Sequence, residues 1–358
     1  MNVKENKHVA FKLSILFFIG IILFFLNNEN RYKLKKYLDS FNMESKELKL
    51  ENSIPVDIND GKIAFYNENI TLWKDNRLRQ FSIKGNLVWE KEFNLDDPDV
   101  YFGKEEIYVY EKPTGQIYII NPKGETMEKF QLNMNIYNIV ESSGILLIHV
   151  KEDNLESINV LDKEFNLLGK KTIEGQKILT YCMNKQKNVL AISTLDFKGE
   201  SLRTEVQAYG IDGQFLWTVY LDNEVVMYLN FNEKGNLTML SDTGIYQVND
   251  GNVLWKKYFQ LIKDIYLDKE NIYILHENIL EAINFDGRTN GKIAFNEGYK
   301  KAVFHGDYTI LYGSNYIIGL KGEKEVFNYN SDTPILKVLC GQNKLVLVCE
   351  GKIDIISL

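Results

Sequence analysis

The feature that most restricts the fold is a motif that keeps returning: Lys84-Gly85-Asn86-Leu87-Val88-Trp89, Asp212-Gly213-Gln214-Phe215-Leu216-Trp217 and Asp250-Gly251-Asn252-Val253-Leu254-Trp255. Each copy is a Gly turn followed by an apolar run that closes on Trp. Gly in a two-residue turn supplies the positive φ of a tight hairpin, and the residues after it suit a pleated strand. Further turns stand at Gly124, Gly287 and Gly322, with a degenerate one near Glu164, so the spacing is about 40 residues. The one longer step is taken up by an insertion around Asp196–Arg203, the loop expected to protrude furthest.

A second series agrees. Apolar strands are expected near Val56, Tyr101, Asn138, Leu179, Met227, Asp264, Ala302 and Leu336, eight in all. Alternation in Glu106-Ile107-Tyr108-Val109-Tyr110 and Gln116-Ile117-Tyr118-Ile119-Ile120 excludes helical repeats of similar length. A repeat of about 40 residues holding four short strands describes a β-propeller blade. The expected fold is therefore all-β, an eight-bladed β-propeller over residues 46–358. The last repeat has room for three strands only, near 335–340, 345–350 and 352–357. Glu47–Leu50 is the expected fourth, pairing with Lys352–Ser357 and closing the ring, since an open ring leaves two unpaired edges.

The repeated Asp/Lys-Gly-x-φ-φ-Trp-Lys/Glu motif resembles the quinoprotein-like (PQQ-like) β-propeller repeat. With its N-terminal apolar stretch, the chain is also similar to uncharacterised membrane-anchored propellers of clostridia and their relatives. The resemblance implies structural roles for Gly85, Trp89, Gly213, Trp217, Gly251 and Trp255, each Trp packing between neighbouring blades. Repeats marked by Gly124, Gly287 and Gly322 lack the Trp and must dock through other side chains; Trp73 falls outside the motif. Quinoprotein dehydrogenases hold their quinone under a vicinal Cys-Cys disulfide with calcium and an Asp base. No adjacent cysteine pair exists here, so no cofactor is expected.

Ahead of the repeats, Leu13–Leu26 carries no charge. As a helix it spans about 21 Å, and adding Val9, Ala10 and Phe11 brings it to about 27 Å, against about 30 Å of hydrocarbon. Polar Asn27-Asn28-Glu29-Asn30 follows instead of a small-residue cleavage site, which favours an uncleaved signal anchor. The expected organisation is a tail at 1–8, one N-terminal transmembrane helix at 9–26 including Leu13, Phe17, Ile21 and Phe25, and a linker or helix at 27–45. A single-pass protein of the cell membrane follows, with its C-terminal domain outside the cytoplasm; Lys/Arg flank the span on both sides, so this orientation rests on the usual outcome for such anchors.

Residues 1–36 hold seven cations against two anions, while the whole chain carries a net charge of −7. The acidic body is a poor partner for nucleic acid, and the basic end suits anionic headgroups of the lipid bilayer. Cys182, Cys340 and Cys349 show no metal or redox spacing. In a hairpin closed at Gly341–Lys344, Cys349 faces Leu336, about 13 Å along the strand from Cys340 at about 3.3 Å per residue. All three are read as core residues. His149, His276 and His305 sit in different repeats and His8 in the tail, and Asp57-Ile58-Asn59-Asp60-Gly61 and Asp96-Asp97-Pro98-Asp99 have the wrong spacing for an EF-hand-type loop. No metal or catalytic residue is assigned. The function expected is a non-catalytic binding or assembly scaffold for a protein, peptide or envelope polymer; the alternative is an enzyme at the central channel, such as a lyase, hydrolase or divergent quinoprotein.

Overall fold

A computed structural model describes residues 45–142, 144–184, 186–196, 202–341 and 343–358. The expected anchor with Leu13, Phe17, Ile21 and Phe25, nearly all of the linker before Ser45, and residues 197–201 of the insertion lie outside them. Every regular element among the described residues is a β-strand, and none is a helix that crosses a membrane.

The strands form eight sheets; six are four-stranded antiparallel meanders in sequence order, and the last two are meanders that each take an outer strand from the N-terminal segment. Blades 1 to 8 begin with Lys62–Tyr66, Pro98–Phe102, Ile136–Ser142, Lys177–Asn184, Val226–Phe231, Ile262–Leu267, Lys301–His305 and Ile335–Gly341. First strands touch at the junctions of blades 4–5, 6–7, 7–8 and 8–1, so the first strands ring the centre. Second strands such as Ile145–Glu152 and Leu237–Ser241 are almost wholly buried, because a blade lies against each of their faces. Fourth strands such as Thr126–Gln131 are largely exposed at the rim.

Eight apolar clusters fill the blade junctions, one each. The cluster between blades 8 and 1 joins Ile54, Ile63, Ile70, Val346 and Ile353, so the ring is closed by a core of the same kind as the others.

Closure departs from expectation in its register. Leu50–Pro55, not Glu47–Leu50, pairs antiparallel with Lys352–Ser357, setting Ile54 opposite Ile353. Lys46–Glu47 instead runs parallel to the fourth strand of blade 7, Lys324–Asn330, as a fifth strand. Leu48 is buried there, and its N–H donates to Asn328 O at 2.9 Å. The strand expected near Val56 begins only at Lys62, while Val56 N donates to Gly351 O at 3.2 Å. The other seven expected centres fall on first strands.

The Gly turns also differ in detail. Gly85 N donates to Ser82 O and Ser82 N to Asn86 O, both at 2.9 Å, and the ladder shifts register beside them. This is a three-residue loop with Gly in the left-handed position at φ 83°, rather than a two-residue turn.

Because all blades are meanders, their first strands start on one face of the disc. That entry face also carries the hairpins between second and third strands. The Gly turns and the first hairpin of each blade lie on the opposite, turn face.

Candidate binding face

Five first strands break register near their start, at Ile136/Asn138, Ile178/Thr180, Val226/Tyr228, Ile262/Asp264 and Ile335/Lys337. The extra residue in each bulge is Tyr137, Leu179, Met227, Lys263 or Leu336. A bulged residue has no ladder partner and is re-aimed by the local kink. Four of the five are large and apolar, with exposures of 54%, 36%, 57% and 55% in chain order. Ile136 and Ile139 around Tyr137 are fully buried, so the bulge turns one side chain out of a core strand. The same shift sets Cys349 opposite Ile335 instead of Leu336, and the three cysteines are free.

Two clefts lie on the arc between Leu336 and Tyr137. One of about 690 Å³ lies between blades 2 and 3, lined by Asp97, Asp99, Lys112, Tyr137, Asn138 and Lys151. A second, of about 470 Å³, is lined by Asp60, Lys62, Tyr101, Leu336 and Lys337. Their charges are engaged. Lys62 Nζ is 2.6 Å from Asp99 Oδ1, and Lys112 Nζ is 3.3 Å from Asp97 Oδ1. Lys337 donates to Ile63 O at 3.1 Å, and burial pushes its ammonium pKa down. On the far side of the ring Asp264 Oδ2 accepts Ala302 N–H at 3.0 Å, and Tyr266 stacks on Phe304 at 4.0 Å. At the junctions of blades 8–1, 1–2 and 6–7, first-strand side chains thus tie one blade to the next.

Two imidazoles are paired with buried carboxylates. In blade 3, His149 Nε2 is 3.2 Å from Glu156 Oε2, and Tyr137 and Tyr181 present edges to the ring. Burial lowers the His149 pKa despite Glu156. Burial alone raises the Glu156 pKa, but the Ile178 N–H, Lys177, His149 and Lys151 outweigh it and hold the carboxyl below its ordinary value. Glu156 Oε1 lies 3.4 Å from Lys151 and 3.3 Å from Lys177. In blade 6, His276 Nε2 is 3.6 Å from Glu281 Oε2, and Glu281 Oε1 accepts from Lys257 and from Thr289 at 2.6 Å. That site opens into a cleft of about 610 Å³ on the blade 5 side. No Ser, Thr or Cys is hydrogen-bonded to either imidazole, and no group of three metal-binding side chains forms among the described residues.

The repeat residues meet across blade junctions. Trp89 packs on Gly124, Trp217 on Gly251 and Trp255 on Gly287, each indole covering the Gly turn of the following blade. Trp89 Nε1 donates to Gln80 Oε1 at 3.0 Å and Trp255 Nε1 to Phe285 O at 2.9 Å. Gly85 instead faces Ile54 of the closing strand, and Gly213 lies near Lys170 O of blade 3. Trp73 is a core residue beside Phe93, with ring centroids 5.7 Å apart. The two apolar residues before each motif Trp, Leu87-Val88, Phe215-Leu216 and Val253-Leu254, are exposed at the rim. Asp57 pairs with Lys74 at 2.6 Å, so its turn is held by an ordinary ion pair.

Sequence reading missed the bulged residues, which look like any other member of an apolar strand. A sign was present in the spacing. Ile136-Tyr137-Asn138-Ile139, Val226-Met227-Tyr228-Leu229 and Ile335-Leu336-Lys337-Val338 set core residues three apart where alternation demands two or four.

The family described as "Family of unknown function (DUF5711)" matches residues 21–358. No curated protein matches the sequence. Among solved structures, the chain is similar to BamB from Moraxella catarrhalis at 10% identity and a TM-score of 0.58, covering 87% of this chain and 100% of that one. It is similar to the C-terminal WD40 domain of Sif2 at 11% identity and a TM-score of 0.63, covering 88% and 99%. For Saccharomyces cerevisiae Sqt1 the values are 12%, 0.60, 88% and 99%. Likeness at such identities shows the β-propeller fold alone.

Proposed function

The chain belongs to the DUF5711 family of unknown function, and on that premise we propose that it is a membrane-tethered propeller outside the cytoplasm that binds a protein, peptide or envelope polymer through its entry face without catalysing a reaction. The observation that carries this reading is the set of exposed apolar residues Tyr137, Leu179, Met227 and Leu336, repeated at one bulge position around the channel mouth. Three of the four stand on consecutive blades 3 to 5, and large apolar side chains exposed together on one face are usually covered by a partner. The closed ring supports it by giving those side chains a rigid base. Gly–Trp contacts across blade junctions support kinship with the PQQ-like repeat and a structural role for the motif.

The tether favours the same face. Lys46–Glu47 runs parallel to the last strand of blade 7, which travels from the turn face to the entry face. A chain rising from a bilayer anchored by Leu13, Phe17, Ile21 and Phe25 then arrives at the turn face and leaves the entry face pointing away from the lipid. The enzyme alternative would rest on His149–Glu156 and His276–Glu281, and neither imidazole has a nucleophile hydrogen-bonded to it among the described residues.

The test compares two variants of the full chain in intact cells treated with a membrane-impermeant crosslinker. Tyr137→Ser/Leu179→Ser/Met227→Ser is expected to lose the crosslinked complexes, while His149→Gln/His276→Gln retains them. Complexes that survive the first variant, or that vanish only in the second, would overturn the reading, as would crosslinks that form only after lysis.

A further inference from the structure

The part of the entry face that holds Tyr137, Leu179 and Met227, on blades 3 to 5, is acidic. Glu152 and Asp153 are exposed on the hairpin of blade 3, Glu174 at the end of that blade, and Asp242 on the hairpin of blade 5. Glu224 lies half-buried just before Val226. None of these five carboxylates forms an ion pair with Lys or Arg among the described residues. The cations beside them are already engaged. Lys151 and Lys177 both lie on the buried Glu156, with Lys151 also 4.6 Å above the Tyr137 ring, and Arg203 is 3.5 Å from Asp222. The single charge of Glu156 offsets one of the two lysines nearest the apolar protrusions and Asp222 offsets Arg203, so the five other carboxylates outnumber the one lysine charge left over.

We propose that this sector docks a cationic segment of a partner protein, whose apolar side chains pack among Tyr137, Leu179 and Met227 while its Lys or Arg side chains meet Glu152, Asp153, Glu174 and Asp242. The proposal rests on the binding reading above and names the chemistry of its partner. Complementary charge at the edge of an apolar patch steers encounter and fixes orientation. Other occupants fit less well. The chain's own basic residues Arg31, Lys33, Lys35 and Lys36 precede Ser45, which joins the ring at blade 7, and blades 7 and 8 stand opposite blades 3 and 4. A second copy would bring the same carboxylates face to face. Nucleic acid and anionic lipid carry the wrong sign.

The experiment measures binding of two short peptides to the full chain in detergent micelles. Both carry Leu and Phe at the same positions, one with Lys and the other with Glu between them. The Lys peptide is expected to bind, and more weakly as salt rises. Its affinity is expected to drop about tenfold or more in Glu152→Gln/Asp153→Asn/Glu174→Gln/Asp242→Asn and in Tyr137→Ser/Leu179→Ser/Met227→Ser. A turn-face control, Glu164→Gln/Glu233→Gln/Glu270→Gln/Glu323→Gln, is expected to bind as the parent does. Equal binding of the Glu peptide, or an equal loss in the control, overturns the proposal. If either occurs while cellular complexes still depend on Tyr137, Leu179 and Met227, the partner chemistry is wrong and the binding face stands. If those complexes are also indifferent, both fall.

Discussion

Gly124 sits where a side chain would strike an indole. A Cβ built there lies 2.6 Å from the Trp89 ring, and its φ of 86° strains any L side chain. Gly322 has a similar φ of 63° with nothing within 4 Å. The pair separates two effects that are usually mixed. Gly322→Ala tests backbone strain alone, about 1 kcal/mol, whereas Gly124→Ala adds the collision and is expected to lose about 2–3 kcal/mol. Denaturant unfolding measures both, and Trp89→Leu should recover part of the Gly124→Ala loss because the two sites are coupled. Equal losses at Gly124 and Gly322 would remove the indole from the explanation. The recurrence of Gly and Trp was legible in the sequence; that each Trp serves the next blade's Gly was not, because spacing along a chain does not say which blade a side chain faces.

At the scale of elements, the closing strand shows where legibility ends. Leu48-Lys49-Leu50 alternates as a strand should, whereas Asn52-Ser53-Ile54-Pro55 has weak strand propensity. Tertiary burial decides the matter. Ile54 enters the core between blades 8 and 1, and Ser53 Oγ donates to Asp354 Oδ1 at 2.6 Å. Leu50, on the same strand, stays exposed. Ile54→Ala is therefore expected to cost about 2–4 kcal/mol and Leu50→Ala about 0.5 kcal/mol or less, read from denaturation midpoints. The reverse order would return closure to Glu47–Leu50. The bulges escaped for a related reason. One added residue is lost among repeat lengths that already vary by several, and only the three-residue spacing of core side chains betrays it.

For the whole molecule, the turn spacing and the alternation were enough to give an all-β ring of eight blades, because a unit of four short strands must stack on neighbours to bury both faces. The working surface was not legible in the same way. The proposed one is assembled from residues far apart in sequence, with Tyr137, Leu179 and Met227 on consecutive blades 3 to 5 and Leu336 across the ring on blade 8. The fold shared with BamB and WD40 propellers leaves the partner open, since function belongs to sites placed on a fold. The most direct measurement places a photo-reactive amino acid in the full chain in intact cells, at Met227 on the entry face or at Lys234 on the turn face. A discrete adduct is expected from position 227 and none from position 234. An adduct from position 234 alone would contradict the assignment of the working face.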